Sequence, residues 1–164
     1  RAHENFASIL RSTSDIRSIV VRPTITFHSM AKMIDEASAG KLRIIGAGNA
    51  RVNPIHETEL AAVIVDAFDS GDSDLDVGGP EIFTRMELAE LIREVAATTD
   101  PIKSDPEWVA NLKMGLQRFK GRHNKHWARF FTVSAVTDLI APQYGTELLK
   151  DYLARSAAER GFGV

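Results

Sequence analysis

The chain contains no cysteine. That excludes a disulfide framework, a thiolate metal site and a Cys nucleophile, and it accords with a reducing compartment such as the cytoplasm. No apolar run approaches the roughly 20 residues that a membrane-spanning helix needs. No signal-peptide pattern is visible. Neither sign of charge dominates: 20 Lys and Arg stand against 22 Asp and Glu, a formal net charge of −2. A balance of that kind predicts no general attraction to nucleic acid or to an anionic membrane. Internal repeats and low-complexity stretches are absent too.

What is present is an ordinary globular composition over 164 residues, 44% apolar and 26% charged. This length suffices for one domain with a real core. Residues 2–12 place Phe6, Ile9 and Leu10 at helical spacing, which predicts an amphipathic helix. Ile19, Val20 and Val21 then follow in sequence. Consecutive β-branched residues favour a strand, and a run that does not alternate predicts burial on both faces, as in a parallel sheet. Pro23 cannot donate to a ladder, so a strand over residues 16–21 is expected to stop there. Phe27, Met30, Met33 and Ile34 share the face of a second helix, with Gly40 as its stop signal. Residues 42–45 read as a short strand running into a glycine turn.

A third helix follows His56, with Leu60, Val63, Ile64 and Phe68 on one face and Gly71 closing it. Residues 75–77 form another short strand. Thr84 and Glu87 are spaced as a capping box ahead of a helix carrying Leu88, Leu91, Ile92 and Val95. Beyond Pro101, Trp108, Leu112, Leu116 and Phe119 are expected to face inward from one helix, and Trp127, Phe130 and Phe131 from another. Residues 141–146 read as a turn before a final helix over residues 146–160.

This order is an α/β pattern, but it has too few strands. One strand with two short companions cannot bury its faces and satisfy its edges. The sequence reads as the C-terminal portion of a Rossmann-like doubly wound parallel sheet. Residues 1–100 are expected to supply that sheet portion, and residues 101–164 a helical, substrate-side region. The chain starts at Arg1 rather than Met, as expected of a processed, trimmed or partial polypeptide. Left alone, its main strand must find a partner, so a homodimer, a domain swap or a partly molten monomer is expected.

Five pieces carry a family resemblance: Arg1–Glu4 (RAHE), Val20–Thr24 (VVRPT), Asn53–His56 (NPIH), Asp76–Thr84 (DVGGPEIFT) and Ala141–Thr146 (APQYGT). Together they resemble the C-terminal part of NAD(P)-binding short-chain dehydrogenase/reductase proteins of the atypical, NmrA-like branch. The resemblance implies an oxidoreductase that takes NAD or NADP and reduces a small carbonyl substrate. It also implies that the glycine-rich pyrophosphate loop lies upstream, so that dinucleotide binding needs the N-terminal half. By the same resemblance Pro23, Thr24 and Ile25 line the nicotinamide, while Phe27 and His28 face the substrate cavity. The competing readings are a core Phe27 and a solvent-exposed His28 at a helix start. His3 falls where the family's catalytic Lys is expected. Imidazole carries that charge only partly at neutral pH, which leaves room for a non-catalytic NAD(P)-sensing regulator or assembly subunit.

Other residues invite chemistry less directly. Gly46-Ala47-Gly48-Asn49-Ala50-Arg51 imitates a dinucleotide loop, but Arg51 replaces the last small residue and no helix opens at once, so a plain turn is expected. His56 either contacts substrate or caps its helix. His123 and His126 lack nearby carboxylates, and no metal site is expected. Between Glu107 and Asp138 there is no acidic residue. Lys113, Arg118, Lys120, Arg122, Lys125 and Arg129 interleave there with aromatics. That stretch is a solvated basic face, a surface for an anionic partner (making the chain an interaction module), or the complement of an acidic upstream half. Nucleic acid is not expected for a net acidic chain.

Overall fold

The computed structural model describes residues 2–13, 17–109 and 134–161. Helix α1 spans Ala2–Ser12, strand β1 Val20–Pro23, α2 Phe27–Ser38, β2 Arg43–Ile45, β3 Arg51–Val52 and α3 Glu57–Ser70. After these come β4 Asp74–Val77, β5 Phe83–Thr84, α4 Arg85–Val95, β6 Lys103–Asp105 and α5 Leu149–Glu159. The architecture is mixed α/β, as the sequence predicts.

The run of β-branched residues before Pro23 finds its partner within the chain. β1 pairs with β4 in parallel, from Val20 opposite Asp74 to Pro23 opposite Val77. The strand differs from expectation in two ways. It begins at Val20 and includes Arg22 and Pro23, because the ladder is set by β4 and not by the apolar run. It is also only half-buried, because among the described residues no strand pairs with its other edge. β2 pairs with β6 in parallel, and β3 pairs with β5 antiparallel.

The core lies among α2, α4 and α5, which pack on one another. Phe27, Met30 and Ile34 from α2, Leu88 and Ile92 from α4, and Leu149 and Leu153 from α5 are all buried. Each set recurs at three or four residues, the spacing that puts side chains on one helical face. The capping box forms as the sequence predicts: Glu87 Oε2 accepts the Thr84 N–H at 2.7 Å, and Thr84 Oγ1 accepts the Glu87 N–H at 3.1 Å. Gly71 closes α3 in the left-handed region at φ 88°, with its N–H on the Ala67 carbonyl.

Two helices leave their apolar faces uncovered. On α1, Phe6 and Ile9 are each 61% exposed. On α3 only Ala67 is buried, while Ile64, Val65 and Phe68 are exposed. Trp108, expected to face inward, is also exposed. Its companions Leu112, Leu116, Phe119, Trp127, Phe130 and Phe131 lie outside the described residues.

Residues 138–148 form an extended strap instead of a turn. Leu139 donates its N–H to the Arg51 carbonyl, and Arg51 donates its own N–H to Asp138. Gly78 donates to Pro142 O, and Tyr144 donates back to Gly78 O, both at 2.9 Å. Glu59 Oε1 accepts the N–H groups of Thr146 and Glu147, and Glu81 accepts that of Leu149. These carboxylates hold the backbone extended up to Leu148, which is why α5 starts at Leu149, three residues later than the sequence predicts.

Candidate functional site

Ligands of open α/β sheets gather beyond the carboxyl ends of parallel strands. Here that position is the loop Thr24–Thr26, between β1 and α2. Pro23 ends β1 on the exposed side. Thr24 donates its N–H to Val77 O at 2.9 Å and its hydroxyl to Asn53 O at 2.6 Å. The Ile25 carbonyl accepts the Ile55 N–H, and the Ile55 carbonyl accepts the Phe27 N–H. The loop is therefore held by its neighbours on both sides. Two backbone donors are left over: among the described residues, neither the Ile25 N–H nor the Thr26 N–H has an acceptor.

Three aromatic rings stand beside this loop. Phe27 is fully buried in the core. Its ring lies 5.7 Å from that of His56, edge to face, and 5.4 Å from that of Tyr152. His56 and Tyr152 are 5.3 Å apart. His56 caps α3: its Nδ1 accepts the Thr58 N–H at 3.2 Å. An imidazole that accepts at Nδ1 carries its proton at Nε2. Neither that Nε2–H nor the Tyr152 hydroxyl has a hydrogen-bond partner among the described residues. Tyr152 escapes a reading of the sequence, because nothing but packing brings α5 to the start of α2.

His28 is exposed in the first turn of α2, and its N–H donates to Glu57 Oε1 at 2.9 Å. Glu57 thus joins the starts of α2 and α3. Burial pushes its pKa up, but hydrogen bonds from the His28 and Glu57 N–H groups and the Thr26 hydroxyl outweigh that and hold it below the ordinary value. Two helix N-termini also favour a negative charge there.

Asn53 is the residue that sequence reasoning passed over. It is fully buried. Its Nδ2 donates to Gly79 O at 3.2 Å and to Ala141 O at 2.8 Å, and its Oδ1 accepts the Ala141 N–H at 3.1 Å. The adjacent glycines Gly78-Gly79 were the available signal, since such pairs mark close backbone approach. A Cβ on Gly78 would stand 2.0 Å from Asn53 Nδ2.

The remaining candidates are placed as follows. His3 lies in the first turn of α1, and its side chain is outside the described residues. So are His123, His126 and the basic stretch from Lys113 to Arg129. The Gly46–Ala50 segment is a turn running into β3 at Arg51: Gly46 and Gly48 take φ near 65° and 72°, and the Gly48 carbonyl accepts the Met86 N–H. With Met86 packed against it, this turn is not free to cradle a pyrophosphate. Among the described residues no cluster of three metal-ligating side chains occurs, and no helix is long and apolar enough to cross a membrane.

No family model matches the chain. Among solved structures it is similar to a human epimerase family protein with NADPH, at 20% identity and TM-score 0.61, over 87% of this chain and 48% of that one. It is also similar to a dTDP-glucose 4,6-dehydratase from Bacillus anthracis in complex with NAD, at 16% identity and TM-score 0.58, over 95% and 49%. A GDP-mannoheptose C4 reductase from Campylobacter jejuni with NADP bound matches at 12% identity and TM-score 0.53, over 96% and 54%. Among curated proteins, the mitochondrial NADH dehydrogenase [ubiquinone] 1 alpha subcomplex subunit 9 of Arabidopsis thaliana is 35% identical over 60 residues, 34% of this chain and 15% of that protein. The chain thus spans about half the length of the solved structures it matches. These likenesses establish the fold as Rossmann-like.

Proposed function

We propose that the chain is the C-terminal, nicotinamide-side portion of an NAD(P)-dependent oxidoreductase of the atypical, NmrA-like short-chain dehydrogenase/reductase branch, acting on a small carbonyl substrate in the cytoplasm. The observation that carries this reading is the loop at the end of β1. It lies where a parallel sheet presents ligands, and among the described residues it keeps two unspent backbone donors, the N–H groups of Ile25 and Thr26. A nicotinamide carboxamide oxygen is a matching acceptor. Pro23 and Thr24 supply the adjoining wall.

The substrate side consists of His28 and His56, joined by Tyr152, with the buried Phe27 ring packed beneath them in the core. The Nε2–H of His56 and the phenol of Tyr152 are donors of the kind that hold a carbonyl oxygen. The cofactor, when bound, supplies hydride chemistry. This chain's residues orient the ring and hold the oxygen. The pyrophosphate is left to a glycine-rich segment that the described residues do not contain, so affinity of this chain for the whole dinucleotide is expected to be weak.

The test is a titration of the isotopically labelled chain with nicotinamide mononucleotide, followed by amide shifts. A response centred on Thr24, Ile25 and His56 supports the proposal, and an unchanged spectrum overturns it. The protein joined to its nucleotide-binding half is then offered NADPH and NADH with a panel of aldehydes and ketones. Binding without turnover would favour a nucleotide-holding, non-catalytic role, the reading that His3 at the expected Lys position motivates.

A further inference from the structure

Asn53 belongs to a network larger than its own turn. Its side-chain amide engages the backbone of Gly79 and of Ala141, the latter twice. Its carbonyl accepts the Gly79 N–H at 2.9 Å and the Thr24 hydroxyl at 2.6 Å. Three chain segments, far apart in sequence, meet at this one residue: the loop after β1, the Gly78-Gly79 corner after β4, and the strap at Ala141. A buried amide is retained only where its donors and acceptors are satisfied, and losing a partner costs more than the bond itself contributes. Both glycines leave no room for slack. A Cβ on Gly79 would stand 1.6 Å from Pro54 O.

We infer that Asn53 is a positioning residue, coupling the docked strap 138–148 to the loop that presents the Ile25 N–H. Its functional consequence rests on the nicotinamide reading above. When the strap is seated, Ala141 fixes the Asn53 side chain, the Asn53 backbone carbonyl fixes the Thr24 hydroxyl, and Thr24 fixes the direction of the next peptide, whose N–H is one of the two unspent donors. When the strap lifts, Asn53 loses its two bonds to Ala141 and the loop loses its register with Ile55. The strap is thereby a means by which a partner or substrate touching residues 141–146 changes the cofactor end of the site without touching it.

Three variants of the full chain test this. Thr24→Val removes only the hydroxyl donor. Thr24→Ser keeps it. Asn53→Asp puts a carboxylate against two carbonyl oxygens, Ala141 O of the strap and Gly79 O of the corner after β4. The readouts are amide hydrogen exchange at Ile55, whose N–H holds the Ile25 carbonyl, and the Ile25 shift on adding nicotinamide mononucleotide. Thr24→Val and Asn53→Asp are expected to speed exchange at Ile55 by about tenfold, the worth of one neutral hydrogen bond. They should abolish the Ile25 shift, with exchange at Leu153 unchanged and Thr24→Ser behaving as the parent. Should Asn53→Asp not fold, Thr24→Val against Thr24→Ser still decides. Unaltered Ile55 exchange in Thr24→Val overturns the coupling, even if the nucleotide still binds. Faster exchange with no nucleotide response in the parent overturns the nicotinamide reading instead.

Discussion

The backbone of Gly79 lies so close to Pro54 that a Cβ placed on it would stand 1.6 Å from the Pro54 carbonyl oxygen. This contact locks the corner after β4 onto the turn before α3. It also explains the glycine at 79, as the Asn53 side chain explains the one at 78.

Gly79→Ala is therefore expected to destabilise the fold strongly. Inserting one methyl into a packed corner typically costs about 1–3 kcal/mol, and here the obstructing atom is backbone that cannot rotate aside. Urea denaturation of the variant beside Gly161→Ala checks this. Gly161 has open space around its Cβ position but a φ of 79°, so its alanine variant reports the cost of conformation alone. Equal midpoints for the two would contradict the steric account.

The Glu57 carboxylate should make stability depend on acid. Its folded pKa lies below the ordinary value of 4.5, so its ionised form contributes stability that is fully present above 4.5. That contribution is lost as pH falls through the folded value. Glu57→Gln is expected to be less stable at neutral pH and to show a flatter dependence below pH 4.5. Denaturation midpoints collected across that range would expose an unchanged slope.

Capping of α3 and α4 can be measured separately. Thr84→Ala is expected to cost about 1 kcal/mol by opening the capping box. His56→Ala is expected to cost a similar, roughly 1 kcal/mol, amount, and His56→Ser to retain most of it, since Ser is a good N-cap. His56→Ser also removes the Nε2–H. If it keeps stability and loses the nucleotide-linked shifts, capping and ligand contact are separate properties of His56.

The edge of β1 that stays unpaired among the described residues and the exposed Phe6 and Ile9 make self-association the expected behaviour of this chain in isolation. A flat strand edge beside apolar side chains is a pairing template. Sedimentation should find a dimer or larger species, and Phe6→Lys with Ile9→Lys should shift it toward monomer with unchanged circular dichroism. A monodisperse parent monomer would count against the expectation.

Much of the local structure was determined by the sequence. The apolar spacing of α2 and α4, the Thr84–Glu87 box and the left-handed Gly71 stop are interactions within a few residues of one another, so periodicity and capping chemistry suffice to read them. The strand at Val20–Val21 and the loop after Pro23 were legible for the same reason, and so was the turn at Gly46–Ala50.

Tertiary structure alone decided the rest. β3, β5 and β6 are two or three residues long and exist only because a partner strand satisfies their backbone groups. The start of α5 is set by Glu59 and Glu81, from 60 or more residues away in the chain. The meeting of Phe27, His56 and Tyr152, and the buried station of Asn53, depend on α5 and the strap returning to the end of β1. Composition and spacing carry no record of such returns, because the hydrogen bonds that enforce them join residues whose sequence neighbourhoods are unrelated. Only the folded chain brings the unspent Ile25 donor, the His56 imidazole and the strap to one end of one strand.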